Sequence, residues 1–151
     1  VEIEIGLPPQ GCQQNNHGMY WRVVAAAKAA YRLEAKVAGI GIGQRVECPC
    51  VVSMVFYCGL TPLERAYRAK RKRLGKLPKA LYYRPLDKAN GIGAMKSAID
   101  GFVDAKVIED DTHRHLSIGE VTILRAQKQH KGRSGVVLTF EAVRGAEAAN
   151  V

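Results

Sequence analysis

Aspartate is missing from most of this chain. Of 151 residues, the five aspartates (Asp87, Asp100, Asp104, Asp110 and Asp111) all fall between residues 87 and 111, and every other carboxylate side chain is a glutamate. Acid is scarce altogether, with 14 acidic residues against 23 Lys and Arg and a formal net charge of +9. Long apolar runs are missing too. None approaches the ~20 residues that cross a bilayer as a helix, and the opening residues alternate charged and apolar side chains where a secretory signal carries a basic segment followed by a greasy one. These absences predict a cytoplasmic protein with no membrane partner. The four cysteines, Cys12, Cys48, Cys50 and Cys58, include no C-x-x-C pair and have no histidines at ligand spacing, so a zinc site is not indicated and core thiols are expected. There is no internal repeat and no low-complexity linker.

What is present fits one compact unit. A chain of 151 residues is the size of a single domain that buries roughly two-thirds of its unfolded surface. Its composition, 47% hydrophobic and 25% charged, is ordinary for a globular protein. A sequence pI near 9.6 calls for a polyanionic partner, most simply nucleic acid.

Hydrophobic periodicity gives the elements. VEIEIGL alternates Val1, Ile3, Ile5 and Leu7 against polar neighbours, the period-2 pattern of a half-buried strand, and Pro8 and Pro9 end it. From residue 20 the chain reads as an alanine-rich helix with Trp21, Val24, Tyr31 and Ala35 at helical spacing and Gly39 as a stop. Residues 45–58 read as a long strand with Cys48, Cys50, Val52, Met54, Phe56 and Cys58 facing one way, and Pro49 marks its first part as an edge or bulge. Residues 59–84 form a basic insert with Arg65, Arg68, Lys70, Arg71, Lys72, Arg73, Lys76, Lys79 and Arg84. So dense a run is either a solvated face or a nucleic-acid contact, and in a basic chain we read the latter. Residues 90–105 read as one helix, capped by Asn90, with Ile92, Met95, Ile99, Phe102 and Val103 on the core side. Two strands follow, paired as a hairpin across the basic turn KQHKGR, and residues 145–151 are expected to fray. The order predicts an α+β fold over residues 1–151: a small mixed β-sheet with two main helices packed on it.

The aspartate window carries the chemistry. On a helix, position 89, Lys96 and Asp100 share a stripe, spaced seven and four apart. Asp87 lies just before that helix and Asp110 and Asp111 just after a turn, so a compact fold is able to gather Asp87, Asp100 and Asp111. Converging carboxylates need a cation or a lysine to screen them. Magnesium suits such a cluster, since it takes oxygen ligands and needs only one or two carboxylates plus a substrate phosphate; metal-assisted phosphodiester hydrolysis uses those parts, with a lysine offsetting charge in the transition state. The plainer reading is a Lys96–Asp100 helix pair and solvated turn aspartates. His113 and His115, at the end of the acidic turn, are spaced as strand neighbours on one face and are not read as catalytic groups.

The run Asp87, Asn90, Lys96, Asp100-Gly101, Asp110-Asp111 resembles the signature of the RusA family of Holliday junction resolvases: D-x-D-N, a helix with a lysine, a D-G pair and a D-D turn. GLPP at residues 6–9, followed by Asn15 and Asn16, resembles that family's opening. The resemblance spans most of the chain. It implies a small α+β homodimer, often phage- or prophage-encoded, that binds four-way DNA junctions and makes paired incisions with Mg2+, for which Mn2+ substitutes. Carried over by position, Asp87, Lys96 and Asp111 are catalytic, Asp87, Asp110 and Asp111 hold the metal, and Asn90 and Asp100 support them. One position departs from the pattern: Ala89 stands where the motif has its second aspartate, and a methyl group neither ligates metal nor accepts a proton. The resemblance therefore implies a junction endonuclease weakened or inactive as it stands. The rival from another class is a non-catalytic basic module that binds junction DNA or RNA.

Overall fold

The computed structural model describes residues 1–13, 18–59, 62–76, 86–125 and 134–143. The elements are β1 (Glu2–Ile5), α1 (Trp21–Ile42), β2 (Cys50–Cys58), α2 (Pro62–Arg73), α3 (Lys88–Ala94), α4 (Lys96–Asp104), β3 (Leu116–Arg125) and β4 (Gly135–Ala142), with a short 3-10 turn at Gln10–Cys12. The four strands form one mixed sheet in the order β1-β4-β2-β3, and three helices, α1, α3 and α4, pack against it to give an α+β domain. The expected second helix is two, broken at Met95, which accounts for three helices where two were predicted.

The apolar pattern decides which strand is central. β2 (CVVSMVFYC) takes neighbours on both sides: antiparallel β4, with Met54 opposite Leu138, and parallel β3, with Phe56 opposite Ile123. β1 completes the sheet antiparallel to β4, with Ile3 opposite Leu138. This corrects the hairpin expected of the last two strands, because β2 lies between β3 and β4. β3 shows Ser117, Ile118, Gly119 and Glu120 to solvent, a poor central strand. β4, buried at Val136, Val137, Leu138 and Phe140, is a good one. Pro49, which lacks a backbone donor, stays outside the ladder just before β2 begins.

The alternation read from sequence reaches the core. Ile3 and Ile5 of β1, and Cys50, Val52, Met54 and Phe56 of β2, are buried. On α1 the buried residues are Tyr31, Ala35 and Gly39. The helix runs past the expected stop at Gly39 and closes at Gly43, whose φ of 63° suits glycine. Gly39 has a different reason to lack a side chain: a Cβ there would lie 2.8 Å from both Ala105 Cβ and Val107 Cγ2. Trp21, which shares helical spacing with Tyr31 and Ala35 in the sequence, is 65% exposed. From α4, Phe102 meets Phe140 of β4 edge-on with centroids 5.5 Å apart, an arrangement worth about 0.5–1.5 kcal/mol beyond area burial. No helix among the described residues is long and apolar enough to cross a membrane.

Candidate functional site

The N-terminus of α3 is set by Asp87, and not by Asn90 as the spacing suggested. Asp87 Oδ1 accepts the Asn90 backbone N–H at 2.8 Å, and Oδ2 accepts the Asn90 side-chain amide at 2.9 Å. A short carboxylate three residues ahead of an orphan N–H is the ordinary N-cap geometry, and it fixes the orientation of the Asp87 side chain. Ala89 follows in the first turn, exposed to solvent.

Lys96 opens α4, and its Nζ donates to Asp100 Oδ1 at 2.6 Å and to Asp111 Oδ2. The first contact is the i, i+4 pair that helix spacing predicts. The second depends on the turn after α4. There Lys106 takes a left-handed conformation, φ 62°, the Val107 N–H returns to the Phe102 carbonyl, and Val107 and Ile108 are buried. The two apolar residues anchor the segment, which brings Asp110 and Asp111 back beside the start of α4. Asp110 Oδ1 accepts the Asp111 backbone N–H at 2.8 Å. Beyond it, Thr112 Oγ1 lies 2.9 Å from His115 Nδ1, which is itself 4.0 Å from Asp110 Oδ2. Thr112 and its contact with His115 were not singled out from sequence, because a threonine in a polar turn carries no distinguishing signal there.

The electrostatics follow from these contacts. The Lys96 ammonium is held protonated above the ordinary lysine range, first by Asp100 and then by Asp111. The same ammonium holds the Asp111 carboxyl below the usual carboxylate range, although partial burial pulls the other way. Lys96 is 62% exposed and Asp111 26%, so water screens both effects. Lys96 thus meets two carboxylates, Asp100 and Asp111; Arg32 also attracts Asp100, and Asp110 has His115 Nδ1 at 4.0 Å.

The sequence-predicted site is thus gathered in part. Lys96, Asp100 and Asp111 meet, with Asp110 adjacent. Asp87 makes its contacts with Asn90, and among the described residues no group of three or more His, Cys, Asp or Glu side chains is close enough to hold a metal ion. Asp111 and Asp110 each have an oxygen engaged, Asp111 Oδ2 by Lys96 and Asp110 Oδ1 by the Asp111 backbone N–H, so magnesium held by one or two carboxylates, water and substrate phosphate would rest on their remaining oxygens; among the described residues a three-carboxylate centre that includes Asp87 does not form. On α2, Arg68, Lys70, Lys72 and Arg73 are exposed and Arg71 is half-buried, with Lys76 exposed just beyond. The last turn gathers Lys70, Arg71, Lys72 and Arg73, where cations also complement the helix dipole. The side chain of Arg65, together with Lys79, Arg84, Asn15, Asn16, the 128–133 turn and the 145–151 tail, lies outside the described residues.

The thiols stand apart from this chemistry. All four cysteines are free. Burial raises the Cys12 thiol, and burial with Cys48 alongside pushes Cys50 up to about 12, which suits packing and not nucleophilic work. No protein-family model matches the chain, and no curated protein or solved structure is significantly similar to it.

Proposed function

We propose that this chain is a RusA-type nuclease: a magnesium-dependent, structure-selective endonuclease for four-way DNA junctions, working as a homodimer and weakened at Ala89. The observation that carries the reading is the meeting of Lys96, Asp100 and Asp111, contributed by the start of α4 and by a turn 15 residues later in the chain. A simple helix salt bridge needs only Lys96 and Asp100; the return of Asp111 onto the same ammonium is what a phosphoryl-transfer site would ask for.

In this reading the exposed cations of α2 hold backbone phosphates, a salt-sensitive and sequence-independent contact. Asp110 and Asp111 would hold magnesium, which would supply Lewis-acid polarisation of a phosphoryl oxygen and an acidified water. Lys96, kept protonated by its two carboxylates, offsets negative charge as it develops on the phosphoryl group. Asp100 holds Lys96 in place from one turn along α4, and Asn90 holds Asp87. The second reading, a basic junction or RNA binder without catalysis, is favoured by one observation: both Asp87 oxygens are already engaged by Asn90.

The two readings part at position 89. Ala89→Asp adds a carboxylate at an exposed site in the first turn of α3, where negative charge suits the helix terminus. Metal action on a phosphoryl transition state is worth several kcal/mol and each ~1.4 kcal/mol is tenfold in rate. The restored chain should therefore incise four-way junctions with magnesium at least about a hundredfold faster than the present one, with junction affinity nearly unchanged. Equal rates at saturating magnesium remove Ala89 from the motif and leave the binding module.

A further inference from the structure

Helix α1 opens on two large aromatic rings that the core does not take in. Tyr20, its N-cap, and Trp21, its first residue, are 58% and 65% exposed, although tryptophan is highly buried on average. The two ring centroids lie 5.9 Å apart at an interplanar angle of 50°. The Arg22 guanidinium stands over both, 5.3 Å from the centroid of Trp21 and 6.0 Å from that of Tyr20, within the range of a cation–π contact. Arg22 is itself exposed, and among the described residues no carboxylate bridges to it. Residues 5–33 contain no Asp or Glu and include Arg22, Lys28 and Arg32. The rings hold this cation in place without neutralising it. Its place in the fold matters too. α1 and α4 run side by side in the same direction, since a Cβ on Gly101 would meet Arg32 and Ala35, and one on Gly39 would meet Ala105 and Phe102. By that register α4 starts about eight residues into α1, and Trp21 projects ~12 Å beyond the start of α4 at 1.5 Å per residue. That is the end of the domain where Lys96 meets Asp111.

We propose that Tyr20, Trp21 and Arg22 form a stacking platform for an unpaired base of a DNA strand, separate from the phosphate contacts assigned to α2. Every base has a π-face, and an exposed indole takes it without reading sequence. Arg22 serves the same strand twice: its planar guanidinium stacks, and its charge attracts the adjoining phosphate. The same kinds of residue anchor protein partners and sit at membrane interfaces. Charge decides among these partners. A chain of +9 with no carboxylate side chain across residues 5–33 favours a polyanion, and nucleic acid is the polyanion that brings flat rings along with its phosphates. Place agrees with charge, because a strand led past Lys96 and Asp111 reaches the platform within a few nucleotides. A branch point or a flap supplies bases freed from pairing, so the platform selects unpaired DNA over continuous duplex, whose bases are stacked within the helix. It makes no use of a metal ion, and it stands or falls apart from the nuclease reading.

Trp21 is the single tryptophan of the chain, so indole emission reports this site alone. The full chain without magnesium, titrated with an oligothymidylate of about 12 residues, should show saturable quenching of that emission. An abasic deoxyribose-phosphate strand of equal length should bind by charge and leave the emission nearly unchanged. Anisotropy of the labelled strands gives the affinities. Trp21→Ala should weaken oligothymidylate binding at least about fivefold with the salt slope unchanged, because no phosphate contact is lost, and Trp21→Phe should recover most of that loss. Arg22→Ala should weaken the same strand and flatten the log-log salt slope by about 0.7. Circular dichroism checks that the fold is kept, with Tyr20→Ala, expected to weaken binding in the same way, carrying the test should Trp21→Ala fail to fold. Equal quenching by the abasic strand, or an affinity indifferent to the ring substitutions, overturns base stacking at this site. An oligothymidylate that does not bind, or binds without quenching, overturns it equally. A blue shift of the emission on anionic phospholipid vesicles, with no response to oligothymidylate, assigns the rings to a membrane surface and overturns it as well.

Discussion

Helix α4 carries an acid–base contact at each end, and the two ends do different things. At the C-terminal end Asp104 accepts two hydrogen bonds from the Arg32 guanidinium, 2.8 Å each, a fork-on-fork pair in which one charge matches one charge. At the N-terminal end Lys96 stands between Asp100 and Asp111, and Asp110 adds a third carboxylate. The first fastens α4 to α1. The second joins α4 to the turn that follows it, and the proposed nuclease reading is what assigns its carboxylates to a metal ion. In the sequence both belong to one aspartate window, so the window alone does not say which carboxylates are fasteners and which are chemistry. What separates them is the element each one faces: Asp104 faces α1, Asp87 faces its own helix amides, and Asp111 comes back across the turn.

If that division is right, damage beside Asp104 should appear as stability, and the largest effect should come from the glycine that lets α4 approach α1. A Cβ on Gly101 would lie 2.3 Å from the Arg32 carbonyl oxygen and 2.9 Å from Ala35 Cβ. Backbone cannot turn aside as a flexible side chain does, so the helices must separate. Gly101→Ala should cost about 2–3 kcal/mol, read as a lowered urea midpoint at unchanged slope. Gly41→Ala is the control, since nothing lies within 4 Å of its Cβ position; that exchange should be neutral or stabilise by up to about 1 kcal/mol. Equal effects at both glycines would mean that the α1–α4 crossing is looser than its geometry.

Asp87 is the sharper case, because the resemblance assigns it to metal while the structure makes it a cap. As a cap, Asp87→Ala should cost about 1 kcal/mol and Asp87→Asn only a few tenths, since asparagine caps nearly as well. As a metal ligand in the Ala89→Asp background, both exchanges should reduce cleavage alike. Thermal melts and junction cleavage on the same two variants separate the roles: a cleavage loss with alanine but not asparagine leaves Asp87 a cap only.

Much of this was legible in the residues. Alternation placed β1 and the core of β2, and the i, i+4 rule placed Lys96 against Asp100, because both are local periodicities. The rest was decided by distant partners. Nothing local in β3 or β4 says that β2 will come between them; the ranking of strands by how completely they are buried decides it, and that is a property of the whole sheet. The run from 90 to 105 reads as one helix because Ile92, Met95, Ile99 and Phe102 keep helical spacing across a break that the period does not register. Asp111 meets Lys96 only through the left-handed turn at Lys106, a conformation a lysine does not advertise. Trp21 keeps helical spacing with Tyr31 and Ala35 and still stands clear of the core, because α1 starts well before the helix it packs on.

A smaller effect tests the fastening pair itself. Arg32 and Asp104 are 49% and 32% exposed, so a double-mutant cycle to alanine should give a coupling well below that of a buried pair. The coupling should shrink in high salt, because ions screen a pair that water already reaches. Coupling that survives molar salt would make this pair a buried fastener after all.

The smallest effect expected on stability belongs to the other end, and its pH dependence is what identifies it. Asp111 has its carboxyl held below the ordinary value of 3.8 by Lys96, so its contribution is fully present above that value and is lost as pH falls through the depressed one. Lys96 is held above its ordinary 10.5 by Asp100 and Asp111; its contribution is fully present below 10.5 and is lost as pH rises through the raised value. Replacing Asp111 with asparagine keeps the shape and removes the charge. The difference in unfolding free energy between parent and Asp111→Asn should therefore be flat from about pH 5 to pH 9, at most about 1 kcal/mol for a pair this exposed, and should close toward both acid and alkali. Lys96→Met should behave differently, since it leaves Asp100, Asp110 and Asp111 without their ammonium: that variant should gain stability relative to parent as acid protonates them. Urea midpoints across the pH range give both curves. A parent–Asp111→Asn difference that widens in acid would show that Asp111 is destabilised by its neighbouring carboxylates more than it is held by Lys96, and the ammonium would then not be the group that organises this cluster.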